Sequence, residues 1–246
     1  MRELPATSAF ADDDGSADPA LAAALAVHGT RGEALVEVVT ALAAARVLVP
    51  VLAERVPEPA AAGVAGAGAT PVHGHRPHAA AGIVALRTPD GRSALPVFSS
   101  VATMRAWRPE ARPMPSEASR TAAAALAEGW EVLVLDPGGP VTVLVPRPAV
   151  VALARGEVWS PAVRDGAIDG VVRAAVVAAL AVVPHVAGVE AGPGRRAEVA
   201  VALRLEPGLD RAGLEAVLAA VNAALAADGV VAVRVDSLEV RVTAAG

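Results

Sequence analysis

The 246-residue sequence contains no cysteine, lysine, glutamine or tyrosine, its one asparagine is Asn222, and aromatic residues make up 2% of it. Each gap removes a class of chemistry. Without cysteine there is no disulfide framework, no thiol nucleophile and no thiolate-bound zinc or iron–sulfur cluster. Without lysine there is neither a Schiff-base enzyme nor a phosphate loop of the Walker type, whose lysine reaches the terminal phosphates. Few aromatics leave few platforms for stacked bases, and a net charge of −5 with 21 scattered arginines lacks the basic footprint of a nucleic-acid binder. No nucleic-acid partner is expected.

What is abundant is alanine and valine. They dominate a 54% hydrophobic composition of the kind a genome rich in G and C imposes, so packing relies on small side chains. The length accommodates one large or two small domains. The acidic N-terminus, with Glu3 and Asp12 to Asp14, has no apolar run of the signal-peptide kind. The most membrane-like stretch, Val171 to Val183, contains Arg173 and is too short for a hydrocarbon core of about 30 Å. The expectation is a cytoplasmic protein without a membrane partner.

The pattern divides the chain into a polar tail at 1–17, a first unit at 18–160 and a second at 161–246. Asp18-Pro19 opens a helix to about Val27, Asp as cap and Pro in the first turn. Thr30 and Glu33 have capping-box spacing ahead of an amphipathic helix carrying Leu35, Val38, Val39 and Leu42. Arg46 to Leu52 reads as a strand whose Pro50 marks an edge or bulge. Segment 57–81, rich in Ala, Gly, Pro and His, reads as a long mobile loop. A hairpin is expected around Pro89-Asp90-Gly91, a helix capped by Ser100, a proline-rich loop from Pro109 to Pro115, and a helix capped by Ser116 and ended at Gly129. Two strands joined by Asp136-Pro137-Gly138 and a helix closing at Gly156 complete the first unit.

The second unit reads as a helix from about Ile168, strands near 186–190 and 197–205, a helix over 210–226, and strands at 230–235 and 238–242. Helices covering largely antiparallel or mixed sheets make the whole an α+β protein.

Candidate chemistry is sparse. His73, His75 and His78 form the one cluster with metal-ligand spacing, but they fall in the 57–81 loop with no carboxylate to orient the rings, so no metal and no other cofactor is expected. Gly192 to Ala197 matches a dinucleotide fingerprint in letters only, since a strand rather than a helix follows and Pro193-Gly194 favours a hairpin turn. Ser99, Ser100 and Ser160 lack a nucleophile elbow to pair with His28 or His185. Asp165 and Asp169 sit at a helix start, where acids complement the dipole. No catalytic residue is assigned. Trp107, with Arg108 and Arg112, is the candidate contact for a protein partner or for self-association, because an exposed Trp in an aromatic-poor chain is a natural anchor.

Leu95-Pro96-Val97-Phe98-Ser99-Ser100, then Met104 and Trp107, then Val132 to Leu135 running into Asp136-Pro137-Gly138, resemble the N-terminal domain of the SseB family, named for enhanced serine sensitivity in bacteria. The family pattern has Thr where Ser99 stands and Asn where Asp136 stands. The resemblance runs from Ile83 to Val158, and the residues after it are similar in pattern to the family's C-terminal domain. It implies no catalytic residues and a link to amino-acid metabolism. The reading is therefore a non-catalytic interaction module, with a ligand or metal receptor, or an enzyme with a dispersed site, as the alternative. A well-formed cleft lined by converging polar groups favours the alternative.

Overall fold

The computed structural model describes residues 10, 12–31, 34–52 and 85–244. His73, His75 and His78 and the whole of the expected 57–81 loop lie outside them. The chain is α+β, with helices packed on small mixed sheets.

In the first unit, α1 (Pro19–Arg31) and α2 (Leu35–Ala44) lead into β1 (Arg46–Val51). Asp18 accepts hydrogen bonds from the N–H groups of Ala20 and Leu21. The helix it starts runs through Thr30, so Thr30 is not a cap, and α2 begins after Ala34 with no side-chain cap. β2 (Leu86–Arg87) and β3 (Ser93–Val97) form the expected hairpin. Ser100 caps α3 (Val101–Trp107), its Oγ accepting from the Thr103 N–H at 3.1 Å.

The expected proline-rich loop is a strand, β4 (Arg112–Glu117), paired antiparallel with β1. Leu48 exchanges both backbone hydrogen bonds with Phe98, on the side away from β4. Alternation along an antiparallel ladder then makes Val47, Val49 and Val51 the residues bonded to β4. Pro115 and Pro113, opposite Leu48 and Pro50, turn their ring nitrogens outward. The outer edge of β4 thus lacks amide donors where another strand would need them. Ser116 belongs to this strand, and Glu117 stands at the helix N-cap instead.

The unit is completed by α4 (Ala118–Ala127), β5 (Val132–Leu135), β6 (Val143–Val145) and α5 (Arg147–Arg155). The sheet order is β2-β3-β5-β6, with β3 and β5 parallel. Gly156 ends α5 in the left-handed region at φ 67°, as its position in the sequence requires. Leu21, Val38, Leu42, Leu133, Val145 and Ala149 meet in a dry core, with α4 and α5 packed through alanines.

A second core follows Trp159. The short hairpin β7 (Val163–Arg164) and β8 (Ala167–Ile168) precedes α6 (Gly170–Leu180), so the helix starts two residues later than expected, with Asp169 as its cap. β9 (Val186–Pro193) and β10 (Val199–Leu205) turn through Gly194, as the hairpin reading of that glycine motif requires. After α7 (Arg211–Ala227), residues 229–234 form the helix α8 (Gly229–Arg234), not a strand. Asp228 caps it through the N–H groups of Val230 and Val231, both at 2.9 Å. The final strand, β11 (Leu238–Ala244), is parallel to β10, and a parallel neighbour needs a crossover, which α7 and α8 supply. Leu180, Val199, Leu203 and Val221 centre this core. No helix among the described residues is long and apolar enough to cross a membrane.

Candidate functional site

The residues of the motif meet at the ends of the parallel strands β3 and β5. Asp136, buried and in the left-handed region at φ 49°, follows β5. Its carboxylate accepts from the Ser99 N–H at 2.8 Å, the Ser99 hydroxyl at 2.6 Å and the Thr103 hydroxyl at 2.7 Å. Its own N–H donates to the Val97 carbonyl, and its carbonyl accepts from Gly139 and Thr142. This corner ties β3, α3 and β5 together. The Ser99 hydroxyl is bound to Asp136 and the Ser100 oxygen to the first turn of α3, so neither is placed as a nucleophile.

Trp107 lies beside this corner, half-buried. Its ring is 5.2 Å from that of Phe98, a side chain added at Gly138 would meet its edge, and the Arg108 guanidinium stacks 4.8 Å from its centroid. Trp107 and Arg108 are therefore brought together, with Trp107 committed to intramolecular contacts. Arg112 is exposed on β4, opposite Val51.

The cleft with a ligand's dimensions lies elsewhere, at the junction of the two cores. It has a volume of about 420 Å³. Leu35 and Val36 from the first turn of α2, Leu144 from β6, and Pro146 form one side. The other side is the connector, Trp159 and Pro161, and the β7–β8 hairpin with Arg164 and Asp165 at its tip. Glu198 and Asp236 close the floor. They precede the neighbouring strands β10 and β11, so the parallel pairing sets both carboxylates side by side.

Asp236 joins the two cores. It accepts from Arg92 Nη1 at 2.8 and 3.1 Å and from the Arg147 N–H, the first amide of α5, at 3.0 Å. Arg92 is held by Asp90 as well. Glu198 accepts from the backbone N–H of Ala162 at 3.1 Å and of Asp236 at 2.8 Å. Burial pushes the Glu198 carboxyl above the ordinary glutamate value, with the backbone donors pulling against that. Trp159 is 8% exposed, and its indole N–H is buried without a hydrogen-bond partner among the described residues. Such donors are rare, because an unmade bond in a dry site costs about 1–3 kcal/mol.

Of the residues lining this cleft, the sequence offered Asp165 only as an acid at a helix start, and Trp159 is one of three tryptophans. Glu198, Asp236, Arg92 and Arg147 come together from positions as much as 144 residues apart, and no local pattern marks them. The one sequence trace is the polar pair Asp236-Ser237 interrupting two apolar runs. Among the described residues no group of three His, Asp or Glu side chains is placed to hold a metal ion.

Fold and site together define an α+β protein with two cores, a hydrogen-bonded structural corner and a ligand-sized cleft between the cores. The family model described as the SseB protein N-terminal domain matches residues 20–152. The chain belongs to the SseB family. The match begins well before the motif run at 83–158 and covers α1 through most of α5. No curated protein and no solved structure matches the chain.

Proposed function

We propose that this SseB-family chain binds a small ligand in the junction cleft without chemical turnover. The observation that carries the reading is the junction cleft of about 420 Å³, mostly apolar, with Trp159 on its wall and the carboxylates of Glu198 and Asp236 converging on it. Ligand sites are typically concave and apolar with a few convergent polar groups, and this cleft answers that description. An interaction module anchored on Trp107 draws less support, because that ring is committed to Phe98 and Arg108. The outward prolines of β4 also disfavour a partner adding a strand there.

The cleft is bounded by Asp236, whose carboxylate accepts from Arg92 and from the Arg147 N–H across the two cores, so a ligand there bears on how the units sit together. The experiment is fluorine NMR of the full chain grown with fluorotryptophan, titrated with a library of small amphipathic fragments. Binding in the cleft shifts the Trp159 resonance and leaves that of Trp107 in place. A library that moves no resonance, or moves Trp107 alone, overturns the reading.

A further inference from the structure

The two acids on the cleft floor are not equivalent. Asp236 has a cation, Arg92, at 2.8 Å. Glu198 has none among the described residues: its partners are backbone N–H groups, those of Ala162 and Asp236 at hydrogen-bond distance among them. A carboxylate withdrawn from water and left without a counter-charge is expensive, and structures normally supply a cation to it or neutralise it. Asp165, Glu198 and Asp236 line the cleft with one basic residue, Arg164, which is exposed at the hairpin tip and forms no ion pair among the described residues. The rest of the lining is aliphatic, apart from Trp159.

We propose that the ligand is a small amphipathic amine, its ammonium seated against Glu198 and its apolar body against Leu35, Val36 and Leu144. The proposal rests on the cleft being a ligand site. An ammonium supplies the charge that Glu198 lacks, where a carboxylate would meet three acids. The aliphatic wall accommodates a hydrocarbon or aromatic body and offers nothing to a sugar or a nucleotide.

The test is titration calorimetry of the full chain, near neutral pH, with three probes of one shape: phenethylamine, phenethyl alcohol and phenylacetate. The amine is expected to bind at least about tenfold more tightly than the alcohol. The carboxylate should bind most weakly. Glu198→Gln should bring amine and alcohol level, while Glu190→Gln, an exposed acid on β9, leaves the amine unaffected. Glu198→Gln gives up one acceptor for a backbone amide, so Leu144→Trp serves as the second variant. Leu144 is partly exposed on β6 and tolerates a larger side chain that fills the cleft and abolishes amine binding. Alcohol or phenylacetate binding as tightly as the amine overturns the ammonium assignment and leaves the cleft reading standing. Amine binding that survives Leu144→Trp places the amine elsewhere and overturns it too. Failure of all three probes to bind overturns the amine proposal, and the cleft reading then stands or falls with the fluorotryptophan titration.

Discussion

At the scale of single residues, the most consequential side chain is Asp136. Asp136→Ala leaves the buried Ser99 N–H without an acceptor and puts a β-carbon with no polar group into the left-handed region. The expected loss is about 3 kcal/mol in denaturant unfolding. Asp136→Asn should retain most of the stability, because Oδ1 still serves the Ser99 N–H and the Ser99 hydroxyl can turn to accept from the amide. That explains how the family's Asn and this chain's Asp occupy one corner. Asp13 is the second case. Its carboxylate is gripped by Arg46 Nε and Nη2 at 2.5 and 2.7 Å, so that hydrogen bonding from Arg46 first, and the Gly15 N–H after it, holds it below the usual aspartate value despite some burial. A carboxyl depressed on folding stabilises above its unfolded pKa, and that contribution disappears as pH falls through the lower folded one. Asp13→Asn should therefore lower the melting temperature near neutral pH, with the gap closing only below the ordinary aspartate range. A gap that closes above it sinks the assignment. Segment 12–17, expected to be part of a tail, is bound here: Arg46 also donates to the Ser16 and Ser99 carbonyls, and the Gly15 carbonyl accepts from Val101.

At the scale of elements, several caps and turns read directly from the sequence because their signal is local, although Thr30 falls inside α1 and Ser116 inside β4. Asp18, Ser100 and Gly156 act as the spacing required, because each serves a backbone group within four residues of itself. Two further misread elements are ones whose state depends on a distant partner. Prolines at 113 and 115 look like a loop until β1 lies beside them, and then their missing amides fall on the outer edge, where they guard the strand. Replacing both with valine restores outward N–H groups to an exposed edge that already carries Met114 at 43% exposure. The double variant should self-associate, seen as a concentration-dependent rise in mass by light scattering, with little change in thermal stability. A variant that stays monomeric contradicts the guarding role. Residues 230–235 read as a strand because they are β-branched, yet the parallel placement of β11 requires a crossover, and Asp228 starts a helix there instead.

At the scale of the whole molecule, Asp236 is the bond that joins the units, and its removal tests whether two units exist in the thermodynamic sense. Asp236→Ala leaves Arg92 without its partner from the other core and uncaps α5, a loss of about 2 kcal/mol. Calorimetry should change from one cooperative transition to two overlapping ones, with calorimetric enthalpy exceeding the van't Hoff value. A single transition at lower temperature would mean that the cores unfold as one body regardless of the latch. The sequence by itself determined the α+β class, the family motifs and most helix starts and stops, because hydrophobic period and capping chemistry act over a few residues. It also excluded thiol, lysine and thiolate–metal chemistry through the residue types it lacks. Only the tertiary structure decided that Trp107 packs half-buried against Phe98, that the proline segment is a guarded edge, and that Glu198, Asp236 and Trp159 share a cleft. Those facts depend on strand order and on the junction of two cores, where side chains far apart in the chain meet because parallel pairing and crossover connections place them there.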